Sequence, residues 1–188
     1  MAAGGAAGRE PEPSREPEPS REREPSRESG PDRDRDDAGR PRNARPRDGL
    51  GRPLDRDAAG QPTMPADLSV TGDQALALAQ RLIDEGRPFH AHEVLEAAWK
   101  SAGPSQRDSW KGLAQIAVGL THARRGNQRG AVALLRRGAV AIAASAEPPV
   151  TGLDTGALAA EAVGLADRIE RDGLAVIPPA DLRVRLIG

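Results

Sequence analysis

The feature that most constrains the fold is an abrupt change in side-chain composition near residue 66. Residues 1–66 contain 13 arginines, 14 aspartates and glutamates, and 11 of the chain's 17 prolines. Apart from two methionines, their only large apolar side chains are Leu50 and Leu54. Such a segment cannot bury enough apolar surface to offset the ordering entropy of its backbone. We therefore predict a disordered, Pro/Arg/Glu-rich tail over residues 1–66.

The tail also contains a short repeat. The sequence Glu-Pro-Glu-Pro-Ser-Arg occurs at residues 10–15 and again at 16–21. A six-residue repeat this polar indicates low complexity, because a solenoid needs longer units with an apolar face. One interpretation is a docking arm or a phosphorylation target at three serines, Ser14, Ser20 and Ser26. The other is a solubilising spacer, which the mixed charge favours.

Beyond the tail, apolar residues recur at helical spacing and predict one domain over residues 67–177. Cap and stop residues divide it into five helices at about 71–86, 88–101, 105–126, 128–146 and 155–172. Ser105, followed by Asp108, is predicted to cap the third helix. Short connections between the helices predict a compact all-α, antiparallel bundle. Residues 178–188 alternate weakly and predict an extended C-terminal arm.

Composition limits the function. The net charge is −1 and the chain has three aromatic side chains, so nucleic-acid binding is not expected. The chain has no cysteine, which excludes thiolate chemistry and fits a reducing compartment. No apolar stretch is long enough to span a membrane, and the N-terminus lacks the pattern of a secretory signal. These features predict a cytoplasmic protein with no membrane partner.

The second predicted helix places polar side chains on a face that should meet the bundle. At 100° per residue, His92 and Glu96 lie one turn apart on that face. Glu93 lies at its margin, and His90 points elsewhere and is predicted to be exposed. Three apolar side chains of this helix are predicted to enter the core: Phe89, Leu95 and Trp99.

The third predicted helix is apolar around most of its circumference, which is typical of a central helix. Lys111, Gln115 and His122 form a single polar stripe on it. We expect this stripe to meet His92 and Glu96, because a buried polar side chain needs a polar partner.

These two helices resemble a known family. The runs FHAHEVLEAAWK and KGLAQIAVGLTHARRGNQRGAVALL are similar to those of the bacterial and archaeal domain of unknown function 309 family. The shared elements are His92, Glu93, Glu96 and Trp99, then Gln115 and His122, then Arg125, Gly126, Asn127, Gly130 and Ala131. The resemblance covers roughly residues 73–175 and implies an all-helical fold. It implies no activity, since the family has none assigned.

Three interpretations of the polar cluster remain open. In the first, His92 and Glu96 form a buried hydrogen-bonded pair with Gln115 or His122 that fixes helix register. In the second, they line a metal-free pocket for an unknown small ligand or a reaction, with Glu93 or Glu96 as a general base tuned by His92 or Lys111.

The third interpretation is a divalent transition-metal site that uses His92, Glu96 and His122, with Glu93 as a further candidate ligand. Zinc, iron or manganese are the candidate metals, and the corresponding activity is that of a metal-dependent hydrolase. A structural or ligand-binding module ranks first, and whether the protein is an enzyme stays undecided. An apolar face on the fifth helix is compatible with a homodimer.

Overall fold

The computed structural model describes residues 45–62, 64–65, 68 and 70–187, which belong to one compact unit. The expectations for the tail before residue 45, including its repeats and serines, lie outside the described residues. Among the described residues there are five α-helices and no β-strand, which confirms the all-α bundle. No helix in this part of the chain has the length and apolar character needed to cross a membrane.

The helices lie close to their predicted positions. They are α1 (Gly72–Asp84), α2 (Pro88–Ser101), α3 (Arg107–Arg124), α4 (Gln128–Ala143) and α5 (Thr155–Asp172). A 3₁₀ turn at Pro179–Asp181 follows them. Each helix packs against the next in sequence, so α3 is covered by α2 on one side and by α4 on the other.

Side-chain caps fix several helix starts. Thr71 and Gln74 form the reciprocal capping box of α1, and Asn127 and Asp154 cap α4 and α5 through their side-chain oxygens. The predicted cap of α3 was wrong, because its N-cap is Gln106, which makes no side-chain cap bond. The Ser105 hydroxyl instead donates a 2.8 Å hydrogen bond to the carboxylate of Glu147.

The contact between α3 and α4 depends on two glycines. A Cβ atom added at Gly112 would lie 2.7 Å from the carbonyl oxygen of Gly138, and one added at Gly138 would lie 2.6 Å from that of Gly112. The two backbones therefore touch at this point. The close approach lets α4 cover α3 and bury Leu113, Ile116 and Leu120 completely.

The segment before α1 is not wholly separate from the bundle. Residues 45–62, together with Met64 and Pro65, form a folded strap that crosses the first turns of α2. Arg47 makes isolated bridges with Pro53 and Gln61 that hold the strap in a compact loop. This differs from the prediction that the tail extends to residue 66.

The C-terminal arm packs along the bundle with alternate side chains inward. Leu182, Val184 and Leu186 are buried. The backbone N–H of Leu186 donates a 2.6 Å hydrogen bond to the side chain of Gln80, which ties the arm to α1.

We predict that Gly138→Ala destabilises the protein by about 1–3 kcal/mol, because the added methyl group has to separate two backbones. Gly164→Ala is the matched control. It lies within α5, and a Cβ there meets nothing within 4 Å. The control should gain up to about 1 kcal/mol from helix propensity. Urea unfolding of both variants tests this, and similar effects of the two substitutions would contradict the close-contact argument.

We also predict that a chain starting at residue 66 melts a few degrees below a chain starting at residue 45. Only the shorter chain loses the strap and its hydrogen bonds to α2 and α3. A loss of about 1 kcal/mol lowers the melting temperature of a domain of this size by about 4–8 °C. Equal melting temperatures would show that the strap does not stabilise the bundle.

Candidate functional site

The central feature of the site is a row of polar side chains along α2. His92, Glu96 and Lys100 follow at intervals of four residues and therefore lie on one face of the helix. The Nε2 atom of His92 lies 3.6 Å from a Glu96 carboxylate oxygen, and the other carboxylate oxygen lies 3.1 Å from Lys100 Nζ. The His92 and Glu96 side chains are 26% and 35% exposed, so the row is half-buried.

The environment of His92 favours its neutral form. Burial is the largest influence and lowers the pKa of His92 below its ordinary value, and the charge of Lys100 acts in the same direction. The Glu96 carboxylate and the backbone carbonyl of Ala114 favour the protonated form, but they do not outweigh burial. At neutral pH the row therefore carries a neutral imidazole beside a carboxylate and an ammonium group.

A stripe on α3 lies beside this row. Most of α3 is buried, and the positions that remain accessible before its last residue follow one another at helical spacing: Arg107, Asp108, Lys111, Gln115, Val118 and His122. The guanidinium of Arg107 lies 5.7 Å from the centre of the Trp99 ring, and His92 faces the backbone of Ala114. The predicted polar stripe is thus present along the α2–α3 boundary. We call the α2 row, Trp99 and Arg107, Lys111 and Gln115 the seam.

Three polar atoms in the seam are buried without a partner. Nδ1 of His92, Nε1 of Trp99 and Oε1 of Gln115 have no hydrogen-bond partner among the described residues. The expected hydrogen bond between His92 and Gln115 is therefore not formed. Lys111, the other predicted neighbour, is exposed.

His122 lies at the far end of the stripe and has a different partner. Its Nδ1 atom is 2.7 Å from the side-chain nitrogen of Asn127, the residue that caps α4. Among the described residues, no three or more histidine, aspartate or glutamate side chains are grouped so as to hold a metal ion. His92, Glu96 and His122 thus do not form such a group.

Glu93 lies under the strap. Its carboxylate accepts a 3.3 Å hydrogen bond from the backbone N–H of Met64. Burial raises the pKa of Glu93, while that hydrogen bond and the charge of Arg47 act to lower it. The nearby Glu96 carboxylate adds to the raised pKa, which couples Glu93 to the seam.

The prediction for His90 was wrong. His90 is completely buried, and the carbonyl groups of Pro62 and Gly49 in the strap act on its ring. Its ring lies edge-on to Phe89, with ring centres 5.6 Å apart. A wheel of α2 places His90 opposite the bundle, but the strap covers that side. The sequence signal that could have revealed this is the Leu50-Gly51 pair within the polar tail.

Two apolar predictions for α2 need adjustment. Leu95 is fully buried as predicted, but Phe89 and Trp99 are only partly buried. Phe89 packs beneath the strap, and Trp99 lies in the seam beneath Arg107.

The fold and the seam together define a small helical domain with a half-buried polar boundary between its second and third helices. Residues 76–134 match the family model described as Domain of unknown function (DUF309). The match confirms the resemblance over these residues, which run from α1 into α4 and include every seam residue. No curated protein and no solved structure matches the chain.

We predict that two substitutions move the pKa of His92 in opposite directions. Glu96→Gln removes a charge that favours protonation and should lower this pKa further. Lys100→Met removes a charge that opposes protonation and should raise it. NMR titration of the His92 ring measures both. Shifts of the same sign in the two variants would contradict the arrangement of the row.

Proposed function

We propose that the seam binds a small polar ligand and that the domain is a ligand-binding module. The observation that carries the proposal is the set of three buried polar atoms without partners: His92 Nδ1, Trp99 Nε1 and Gln115 Oε1. An unsatisfied buried polar group costs about 1–3 kcal/mol, and native proteins contain few of them. A ligand that supplies the missing hydrogen bonds would recover this free energy.

The chemistry of these atoms indicates what the ligand has to offer. Oε1 of Gln115 is an acceptor and the indole N–H of Trp99 is a donor. The Glu96 carboxylate and the backbone carbonyl of Ala114 each favour an N–H on the His92 ring, and in either neutral tautomer the other ring nitrogen is an acceptor. A matching ligand carries both donors and an acceptor, as amides and hydroxy acids do.

The half-buried position of the row supports ligand binding over a purely structural role. In a purely structural role, the polar side chains of α2 and α3 would pair with one another. In this seam Glu96 pairs with Lys100 on its own helix, and Gln115 Oε1 has no partner among the described residues. Because its carboxylate lies 3.6 Å from His92 Nε2, we assign Glu96 the role of orienting His92.

The test uses the two indole N–H signals of the protein, which come from Trp99 and Trp110. Small amides and hydroxy acids are titrated into ¹⁵N-labelled protein. We expect a compound that shifts the Trp99 signal saturably and leaves the signal of the buried Trp110 in place. Gln115→Met and His92→Phe should each weaken its binding about tenfold, because each removes one hydrogen bond of about 1.4 kcal/mol.

Arg136→Ala is the matched control, since Arg136 pairs with Asp167 and Glu170 on α5, away from the seam. Its affinity should equal that of the unmodified protein. The proposal fails if no compound moves the Trp99 signal, or if binding is indifferent to both seam substitutions.

A further inference from the structure

The strap contacts the bundle chiefly through its main chain. The carbonyl oxygen of Leu50 accepts hydrogen bonds from the Arg125 guanidinium, one of them at 2.9 Å. The backbone N–H of Met64 donates to Glu93. Between these contacts Arg47, one of the strap's four arginines, donates a 2.7 Å hydrogen bond to the carbonyl oxygen of Gly51. Recognition of this segment therefore rests on its main chain and on the side chain of Arg47.

One position in the strap must be glycine. Gly51 is the strap's buried residue, and it adopts a φ of +73°. A Cβ atom built there would overlap the ring of Phe89. The guanidinium groups of Arg47 and Arg125 lie 5.8 and 6.0 Å from the centre of the same ring. Gly51 thus packs against the Phe89 ring, and the guanidinium groups of Arg47 and Arg125 lie near the same ring.

The strap has few apolar side chains, of which Met64 packs against the core. Leu50 and Leu54 are only partly buried, and Arg52, Pro53 and Asp55 are exposed. Beneath the strap, His90 is completely buried, and the strap carbonyl groups of Pro62 and Gly49 favour its protonated form against burial, which lowers its pKa. Because the strap adds few apolar side chains to the core and its closure removes His90 from water, opening of the strap needs less free energy than unfolding of the bundle.

We propose that the first turns of α2, with Arg125 at the C-terminus of α3, form a peptide-docking surface whose resident ligand is the chain's own strap, and that the strap of a second copy can take its place. The surface comprises Phe89, Glu93 and Arg125. It recognises an extended segment with a glycine over Phe89, a carbonyl oxygen for Arg125 and an N–H for Glu93. A second copy carries the same segment at the same residues. This surface is separate from the ligand proposed for the seam.

The test separates the surface from its resident strap. In full-length Gly51→Val, the new side chain collides with Phe89 and expels the strap, which leaves the surface free. A fluorescent peptide of residues 45–65 should then bind this variant at least tenfold more tightly than it binds the unmodified protein. The same peptide carrying Gly51→Val should bind at least tenfold more weakly.

Gly49→Val is the matched control, because a Cβ atom at Gly49 meets nothing within 4 Å. This full-length variant should retain its strap and bind the peptide as weakly as the unmodified protein does. Equal binding to all three proteins, or no binding to any, would overturn the proposal. Binding by Gly51→Val that survives Glu93→Gln combined with Arg125→Met would overturn it too, because those residues make the main-chain contacts.

Hydrogen exchange in the unmodified protein gives a second measurement that does not depend on a variant. The strap amides of Leu54 and Gln61 are bonded to the carbonyl oxygens of Pro46 and Arg47, each at 2.7 Å. Their protection should be at least tenfold below that of α3 amides. Equal protection would show that the strap opens only when the bundle unfolds, and would contradict an exchangeable segment.

Discussion

The backbone contact between Gly112 and Gly138 sets the environment of the α3 side chains that line the seam. It brings α4 against α3 so closely that one whole side of α3 is buried. With α2 on the other side, α3 retains a single accessible stripe, and its polar residues are confined there. The seam is therefore a consequence of packing, because the accessible stripe is the side of α3 on which Lys111 and Gln115 lie outside the core. A methyl group at either glycine would change how deeply α3 is buried and so the position of this stripe.

The sequence predicted the parts of the fold that depend on local chemistry. Helical periodicity, the capping box at Thr71 and the glycine after α5 gave five helices close to their observed bounds. The polar stripe of α3 was predictable for the same reason, since a helix with one polar side can turn only that side away from a core. The match to residues 76–134 agrees with this part of the prediction.

The parts that failed depend on contacts between distant segments. A helical wheel assumes that a helix has one buried side, and it therefore placed His90 in solvent. In the structure, α2 is covered by the bundle on one side and by the strap on another. The strap was missed because it is held by main-chain atoms and a glycine, which composition does not register. Whether His92 reaches Gln115 depends on shifts of a few ångströms along α2 and α3, and no residue pattern encodes that distance.

The two polar surfaces of α2 are linked by charge. Glu93 lies under the strap and Glu96 lies in the seam, and the negative charge of Glu96 raises the pKa of Glu93. The N–H of Met64 and the charge of Arg47, both in the strap, favour the ionised form of Glu93. The negative charge of Glu96 is instead paired with Lys100. The negative charges of Glu93 and Glu96 on neighbouring sides of α2 are thus each opposed by a separate positive charge, Arg47 from the strap and Lys100 from α2 itself.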